Sequence, residues 1–429
     1  MLLTVSKRLE FSASRRLFDP RVSAEENLAR FGEESAARYG TGRNYVVYFV
    51  FAGAVDSDTG MLINISEIKS RTGRVLDQGF DHKFLNEDNP AFAAVVPTAE
   101  NVARQLFAEA EPLFRDANAR LVGCHLRETG ERSATAYANG RCDGNHWFEF
   151  SAARQTMSPR LSTGENQQLF GSASSPFGHG HHYRCRLTEE AGAEDSNPCE
   201  IIRALRHELD HKNLNQEVPG LAGRPITTES LAAYIFERAS RAFPLLRVRL
   251  HERDDFFAER WQDEKFFLGM RRTFSAVHRL HLPTLSEMEN SELFGKCNNL
   301  RGHGHTYIAE ATLGGHYDER SGTLYSFTAL ERALQEALRP WQDKHLDLEA
   351  AEFREKPSTG ENIVQALWDR LDPALRGKLE RLRLWETANN RFTLRRSGDT
   401  PVAISIETGD KSVATPARVA VVSDHSLAE

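Results

Sequence analysis

Three histidines and one cysteine lie within a short stretch of the chain, at spacings that suit a metal site. They are His278, Cys297, His303 and His305. If residues 306–313 continue as a strand, His303 and His305 face the same side of a sheet, because strand side chains alternate between two faces. Three histidines that leave one coordination position open form the ligand set of a catalytic zinc. A cysteine close to that ion would have a lowered pKa and would serve as a thiolate base.

Two neighbouring strands are needed to bring these groups together. His278 ends the apolar run Phe274-Ser-Ala-Val-His, and His303 and His305 open the run that leads through Tyr307. A strand that ends at His278 reaches the face of the His-Gly-His strand if the two strands pair. The sequence therefore predicts a zinc site between two paired strands.

Composition indicates an ordinary globular protein with several domains. A chain of 429 residues is too long for one core and suggests two to four domains. The net charge of −7 gives no electrostatic case for nucleic acid or a membrane surface. No apolar run approaches the roughly 18 residues of a membrane span. We therefore expect neither nucleic acid nor a membrane as a partner.

The amino terminus and the cysteines favour a cytoplasmic location. Residues 1–11 alternate as a strand does and lack the long apolar core of a signal peptide. The cysteines are odd in number and show no framework spacing, which is typical of a reducing compartment. They are Cys124, Cys142, Cys185, Cys199 and Cys297.

A degenerate pattern occurs three times along the chain. Each copy opens with Phe-Ser-Ala and continues with a Glu-Asn pair, a Phe-Gly pair and an apolar strand. The three openings are Phe11, Phe150 and Phe274, and the Phe-Gly pairs follow 20 residues later at Phe31, Phe170 and Phe294. We divide the chain into repeats at 1–130, 146–262 and 266–397, with a polar carboxy-terminal extension at 398–429. The small polar residues at 129–145 are interpreted as a linker.

The first repeat predicts the elements of one copy. A strand begins at Tyr45, and residues 61–65 return as its hairpin partner. A helix covers about 66–76, a second helix follows the N-cap Thr98, and residues 121–128 form the last strand. Each repeat is therefore α+β, with an antiparallel sheet and two helices.

Residues 274–307 resemble the 6-pyruvoyl-tetrahydropterin synthase family, which includes the 6-carboxy-tetrahydropterin synthases. The family pattern is Phe-Ser-Ala-x-His-Arg-Leu, then Phe-Gly-Lys-Cys-Asn-Asn-x-x-Gly-His-Gly-His-x-Tyr. The resemblance implies three tandem tunnelling-fold units that form a pseudo-trimeric barrel. It also implies zinc at His278, His303 and His305, and Cys297 as the catalytic base. Five residues separate Cys297 from His303, a spacing that resembles the pyruvoyl branch.

Two further family motifs are distributed unevenly among the repeats. One supplies an aspartate and a histidine that form a triad with the cysteine, and the other is a glutamate that holds the pterin ring through two hydrogen bonds. The resemblance gives the catalytic pairs Asp81-His82 and Asp210-His211, and the substrate-binding residues Glu128, Glu252 and Glu386. The third repeat has Gln342 and Asp343 where the Asp-His pair belongs.

The metal positions are altered in the first two repeats. The first repeat has Arg15, Thr41 and Arg43 there, and the second keeps His179 and His181 but has Arg154 and Ala173 in place of the first ligand and the cysteine. An arginine stays charged and does not ligate. We therefore expect one composite site, in which the third repeat borrows its Asp-His pair from the first or the second. An alternative is that Asp343 and His345 substitute within the third repeat.

The resemblance implies a zinc-dependent carbon–oxygen lyase. Its substrate would be 7,8-dihydroneopterin triphosphate, from which triphosphate is eliminated on the route to tetrahydrobiopterin. One alternative is the 6-carboxy-tetrahydropterin synthase reaction of queuosine biosynthesis, and another is a non-catalytic pterin-binding scaffold. Family active sites lie at subunit interfaces, so we also expect a homo-oligomer of stacked pseudo-trimers.

Overall fold

The computed structural model describes residues 1–192 and 198–396, and the backbone of two short strands at Ala403–Ser405 and Arg418–Ala420. The chain divides into two compact units. The first includes Met1–Asn145 and Ala388–Phe392, and the second includes His146–Thr387 and Thr393–Arg396. The expected extension at 398–429 lies outside the described residues, apart from the two short strands.

The first repeat is an antiparallel sheet covered by helices. Its strands pair in the order β5-β4-β2-β1. The elements are β1 Leu2–Arg15, α1 Ala24–Phe31, β2 Thr41–Ala52, α2 Ile65–Gly79, β3 Lys83–Phe84, α3 Leu85–Asp88, α4 Ala99–Ala110, β4 Arg120–Arg127 and β5 Arg132–Tyr137.

Two local expectations for the first repeat can be compared with these elements. Thr98 caps α4 as predicted, since its side chain accepts a hydrogen bond from the Asn101 N–H. The expected hairpin strand at 61–65 is wrong. The Asn64 side chain accepts from the Ser66 N–H, so the chain enters α2 at Ile65 and does not return along β2.

The interpretation of residues 129–145 as a linker is also wrong. Residues 132–137 form β5, and the next strand begins at Cys142. The small side chains of β5 let α4 pack closely over β4 and β5. The buried hydroxyl of Thr135 lies 2.9 Å from Nδ1 of His125, which satisfies a polar group that composition alone assigns to solvent.

The third repeat has the same order of elements as the first, and the second, in the part of the chain that the structure describes, differs in having no α-helix equivalent to α3. The second contains β6 Cys142–Arg154, α5 Thr163–Phe170, β7 His179–Glu190, α6 Pro198–Leu209, β8 Lys212–Asn213, α7 Thr228–Ala239, β9 Leu245–Arg253 and β10 Phe256–Trp261. The third contains β11 Phe266–His278, α8 Glu287–Phe294, β12 His303–Gly315, α9 Phe327–Leu338, β13 Lys344–His345, α10 Leu346–Glu349, α11 Gly360–Ala374, β14 Leu379–Thr387 and β15 Asn390–Arg395. The two strands beyond β15 are β16, Ala403–Ser405, and β17, Arg418–Ala420.

Within the second compact unit the strands run β6-β7-β9-β10-β11-β12-β14. The pairs β7–β9, β9–β10, β10–β11, β11–β12 and β12–β14 are antiparallel. The predicted fold class is confirmed: the protein is α+β, built from three tandem copies of an antiparallel sheet with helices.

Equivalent side chains make the same contacts in all three repeats. The phenylalanine of each Phe-Ser-Ala stacks on a tyrosine of the next long strand. The ring centroids are 4.8 Å apart for Phe11 and Tyr45, 4.9 Å for Phe150 and Tyr183, and 4.8 Å for Phe274 and Tyr307. These offset pairs place the strand that carries the metal position in the same register in each copy.

The repeated Glu-Asn pair is structural. In the third repeat Ser286 and Glu289 form a capping box at the start of α8. Next to it, the fully buried Asn290 accepts from the Leu282 N–H at 2.7 Å and donates to the Leu282 carbonyl at 2.9 Å. Asn27 and Asn166 fix the equivalent loops in the same way. The pair therefore stabilises the loop before the cysteine position and has no direct role in the chemistry of the candidate site.

Helix α11 packs inward and begins beside the candidate site. Ile363, Leu367 and Leu371 recur every four residues and are fully buried, so one face of the helix packs inward. Burial of each side chain contributes about 1.5–3 kcal/mol. Thr359 caps the helix and fixes its first turn close to the metal position. No helix in the described ranges is both long enough and apolar enough to cross a membrane.

Candidate metal centre and its two altered copies

The three predicted histidines converge in the third repeat. In the β11–β12 pair His278 lies directly opposite His303, and Ala276 lies opposite His305. The Nε2 atoms of His278 and His303 are 3.1 Å apart, and the ligand atoms of all three residues lie within 4.8 Å of one another. Nitrogens that share a tetrahedral zinc are about 3.3 Å apart. The buried Nε2 of His305 has no hydrogen-bond partner among the described residues. This donor set fits zinc.

A second set of contacts fixes the ring of His278. This residue is fully buried, and its Nδ1 lies 3.0 Å from the carbonyl oxygen of Ser358, just before α11. Since a carbonyl only accepts, Nδ1 carries the proton and Nε2 offers its lone pair. Asp347 holds this turn, because it accepts from the Ser358 hydroxyl at 2.7 Å and from the Arg279 N–H at 2.8 Å.

The histidines are poised to bind a cation in their neutral form. Burial and, to a smaller extent, the adjacent imidazoles of His278 and His305 together lower the pKa of His303 to about 4. Burial also lowers the pKa of His305. Near pH 7 both rings are therefore unprotonated, which a metal ligand requires.

Glu386 lies in the same pocket. Its Oε1 is 3.6 Å from Nε2 of His278 and 3.8 Å from Nε2 of His305. The carboxylate is placed by the β12–β14 pair, in which Trp385 lies opposite Ile308. The residue expected to hold the pterin ring thus lies beside the three histidines.

Cys297 occupies a short helical turn at Gly295–Asn298 after α8. The turn is fixed to the segment that follows β11, because the Cys297 carbonyl accepts from the Leu280 N–H at 2.9 Å. Burial raises the pKa of the Cys297 thiol, and the negative charge of Glu386 raises it further. The lowered pKa expected for a thiolate base therefore depends on the charge of a bound cation.

The first repeat has an internal ion pair at the position of the first candidate metal ligand. Arg15 stands where the third repeat has His278, and its side chain is 2 % exposed. Its Nε donates to Glu128 at 2.7 Å, and its Nη1 donates to Glu34 at 2.6 Å and to Thr41 at 2.9 Å. The Glu128 carboxylate is thus already held by a charged group inside the protein.

The second repeat makes a related exchange but keeps two imidazoles. Arg154 binds the Glu252 carboxylate and donates to the Thr228 hydroxyl at 3.1 Å. The other oxygen of Glu252 lies 3.0 Å from Nε2 of His181. The charge of Arg154, together with the hydrogen bonds to this carboxylate, overcomes burial and lowers the pKa of Glu252. The guanidinium therefore takes the place that a metal ion would have next to this carboxylate.

The Asp-His motif has one backbone geometry in all three repeats. His82, His211 and Asp343 have φ values of 55°, 56° and 59°, in the left-handed region. Their N–H groups donate to the serine of the preceding Phe-Ser-Ala at 2.6, 2.6 and 2.7 Å, respectively. Asp343 thus occupies the histidine position in the third repeat, and Gln342 occupies the aspartate position.

Both intact pairs face solvent in the single chain. The His82 ring is 84 % exposed with Nδ1 2.8 Å from Asp81, and the His211 ring is 83 % exposed with Nδ1 3.0 Å from Asp210. Each aspartate also accepts a hydrogen bond from a backbone N–H, which lowers the pKa of its carboxyl group. The carboxylate is thereby held in place and orients the imidazole beside it. Either pair would have to be covered by substrate or by a second chain to work in a dry site.

His345, the alternative within the third repeat, lies on β13, which pairs with β11. Its register partner is Val277, which faces the opposite side of β11 from His278. Its Nδ1 is 3.9 Å from Asp347. The register therefore places His345 on the face of the sheet opposite to that of His278, so it does not join the three histidines.

One family model matches the chain three times, once in each repeat. The model of the family described as 6-pyruvoyl tetrahydropterin synthase matches residues 4–139, 145–263 and 268–397. The chain is 42 % identical over 132 residues to 6-pyruvoyl tetrahydrobiopterin synthase of Drosophila melanogaster, covering 30 % of this chain and 79 % of the relative. It is 40 % identical over 125 residues to the Homo sapiens protein of the same name, covering 29 % and 86 %. The solved 6-pyruvoyl tetrahydropterin synthase of Caenorhabditis elegans is 34 % identical, with a TM-score of 0.30, and the match covers 31 % of this chain and 96 % of that one.

The protein therefore has the architecture of a tandemly repeated pterin-type synthase with one complete histidine set. The chain belongs to the 6-pyruvoyl tetrahydropterin synthase family, so the resemblance read from residues 274–307 and the threefold repetition are confirmed. The family is one of lyases, and the candidate metal groups of the chain are consistent with its metal dependence.

Sequence reasoning missed two sets of supporting residues. The pairing of Arg15 with Glu128 and of Arg154 with Glu252 joins positions 113 and 98 residues apart. A signal was present, because in both altered repeats an arginine replaces the first histidine while the glutamate remains. The contacts of Asp347 with the Ser358 turn had no signal in the motifs.

Proposed function

We propose that the third repeat carries a zinc-dependent site of the 6-pyruvoyl-tetrahydropterin synthase type, which acts on 7,8-dihydroneopterin triphosphate and eliminates triphosphate. The observation that carries this proposal is the convergence of His278, His303 and His305, with ligand atoms within 4.8 Å of one another. The names of the relatives support the reaction class.

The side chains of the third repeat have distinct roles in this proposal. His278, His303 and His305 would hold the zinc, which when bound supplies Lewis-acid polarisation of the substrate side-chain hydroxyls. The Sγ of Cys297 accepts the proton that leaves the substrate side chain. The carboxylate of Glu386 accepts two hydrogen bonds from the amide and amine edge of the pterin ring and fixes its orientation.

An Asp-His pair completes the proton transfers. The geometry of Asp81-His82 and Asp210-His211 suits a histidine that exchanges protons while the aspartate orients it. Because both rings are exposed in one chain, we propose that a second chain or the bound substrate covers the working pair. Such stacking of chains agrees with the homo-oligomer expected from the sequence.

The proposal is tested by incubating the pure, zinc-loaded protein with 7,8-dihydroneopterin triphosphate and identifying the products by mass. We expect release of triphosphate and a pyruvoyl-type pterin. Cys297→Ala should retain zinc and fold but lose turnover, because the thiol is half-buried and its side chain carries no structural hydrogen bond among those described. A 6-carboxy product would assign the other branch of the family, and unchanged substrate with intact zinc would favour a binding scaffold.

A further inference from the structure

The residues that follow β11 hold the short helical turn that carries Cys297, which we call the cysteine turn. Three consecutive residues contact it. Nε of Arg279 donates to the Asn298 carbonyl at 3.2 Å. The Leu280 N–H donates to the Cys297 carbonyl at 2.9 Å. Nδ1 of His281 lies 3.0 Å from Oδ1 of the Asn298 side chain. The segment that begins at the first candidate metal ligand is therefore attached directly to the proposed base.

The contact made by Arg279 recurs in the other two repeats. In the first repeat Nε of Arg16 donates to the Ser35 carbonyl at 2.6 Å. In the second repeat Nε2 of Gln155 donates to the Ser174 carbonyl at 2.8 Å. This contact reaches the main chain of the turn and occurs in every repeat, although only the third has a cysteine there. It is therefore part of the common fold.

The contact made by the His281 side chain belongs to the third repeat alone. Phe18 stands at the equivalent position of the first repeat, and Met157 stands there in the second. Neither side chain has an N–H or O–H group, so neither can donate to the turn. A donor is present at this position only in the repeat that has a cysteine.

The acceptor at Asn298 is equally specific to the third repeat. Ser35 and Ser174 stand at this position in the other repeats, and their hydroxyls donate to the carbonyl of the glycine that opens their own turn, at 2.8 Å in each case. Those side chains close the turn on itself. The Asn298 side chain reaches out of its turn to His281 instead. Donor and acceptor thus occur together, in the same repeat as Cys297.

The chemistry of the two groups fixes the direction of this hydrogen bond. An amide oxygen only accepts, so Nδ1 of His281 carries the proton and donates to Asn298. Both side chains are half-buried, and His281 lies three residues beyond His278. One hydrogen bond of this kind shifts a local opening equilibrium roughly 2- to 12-fold. The bond therefore keeps the residue next to Cys297 at a fixed distance from the strand end that carries the metal ligand.

We propose that His281 is a positioning residue, which holds the Cys297 thiol in place by binding the Asn298 side chain. This inference rests on the proposed function, in which Sγ of Cys297 accepts a proton from the substrate. Without the contact the cysteine turn opens more often, and the thiol is less often where proton transfer requires it. The zinc content should not change, because neither His281 nor Asn298 belongs to the three-histidine set.

The rate at which iodoacetamide alkylates Cys297 tests the contact without any substrate. Peptide mass spectrometry of the purified full-length protein, at one fixed pH, follows Cys297 and uses the exposed Cys199 as an internal reference. His281→Met introduces the residue of the second repeat, and Asn298→Ser introduces the residue of both other repeats, so the fold accommodates each in an equivalent turn. Each variant should accelerate alkylation of Cys297 roughly 2- to 12-fold.

A double variant shows whether the two side chains act through one contact. His281→Met combined with Asn298→Ser should be alkylated no faster than either single variant, because both changes break the same hydrogen bond. His281→Asn keeps an N–H donor close to the place of Nδ1 and should return the rate most of the way to that of the wild type. His316→Met is the matched control, since it makes the same change at an exposed histidine of the third repeat.

Two results of the alkylation experiment would overturn the proposal. One is a rate in His281→Met no faster than in His316→Met. The other is additive acceleration in the double variant, since His281 and Asn298 would then act separately.

Steady-state kinetics with 7,8-dihydroneopterin triphosphate provide the second readout. In His281→Met kcat should fall roughly 2- to 12-fold, whereas KM and the zinc content stay at the wild-type values. An unchanged kcat in an active protein, or loss of zinc from this variant, would overturn the proposal. A wild-type protein without turnover would contradict the proposed function alone, because the alkylation rates still decide whether His281 holds Cys297.

Discussion

Arg15 and Glu128 form a buried ion pair whose removal should be costly in a predictable way. Both side chains are 2 % exposed, and Arg15 also binds Glu34 and Thr41. Removing Arg15 leaves the buried charge of Glu128 uncompensated, which costs about 3–5 kcal/mol. Replacing both partners with apolar residues of similar volume is far less costly, because no charge is then left behind. We therefore expect Arg15→Met to destabilise the first repeat strongly and Glu128→Leu to do so less, because Arg15 keeps its ion pair with Glu34. The double variant should recover most of the loss seen in Arg15→Met.

Hydrogen exchange followed by mass spectrometry is the suitable assay. All five tryptophans of the chain lie at position 147 or later, so tryptophan fluorescence does not report directly on the first repeat. Amides of β1 and β4 should exchange roughly 10²- to 4 × 10³-fold faster in Arg15→Met. Arg21→Met is the matched control, because Arg21 pairs with Asp19 at 2.8 Å but is 73 % exposed. Exchange in Arg15→Met no faster than in Arg21→Met would refute the idea that an arginine stabilises the altered site in place of a metal.

Three further predictions concern the third repeat and the Asp-His pairs. Asp347→Ala should lower zinc affinity about 10- to 100-fold in a chelator competition, because it releases the turn that orients His278. Wild-type affinity in this variant would show that Asp347 does not position His278 for the metal. Folded His303 has a lowered pKa, so below about pH 6.5 the unfolded chain binds a proton that the folded chain does not. The free energy of unfolding of the metal-free protein, measured in urea, should therefore decrease as the pH falls from about 6.5 towards 4. In His303→Gln the decrease should be smaller, and an equal pH dependence in both proteins would contradict this prediction. His82→Ala and His211→Ala should lower turnover unequally, one by roughly 10²-fold or more, and equal near-wild-type rates would reject a borrowed pair.

Local periodicity and spacing were sufficient to predict that three histidines of the candidate site come together. The alternation of side chains along a strand places His303 and His305 on one face, and the β11–β12 pair adds His278 as expected. The three copies were visible because an aromatic stack and a capped loop impose the same residues at the same spacing in each copy. These signals are local, so they are readable without a structure.

The features that sequence reasoning missed depend on distant contacts or on how closely elements pack. Residues 132–137 were assigned to a linker because their small polar side chains resemble a loop, whereas a covering helix favours small residues in β5. Glu128 was expected to be available to a pterin, but it is held by Arg15, which lies 113 residues away in sequence. Neither packing against α4 nor an ion pair between distant strands leaves a periodic trace.

The central claim is that only the third repeat binds zinc, and metal analysis of three proteins tests it most directly. Elemental mass spectrometry of the purified wild-type chain should give about one zinc per chain, as expected for one complete histidine set. His303→Ala should lose the metal, whereas His179→Ala should keep it, because Arg154 already occupies the cation position beside His179 and Glu252. About three zinc ions per wild-type chain, or a His303→Ala protein that retains its zinc, would contradict the account.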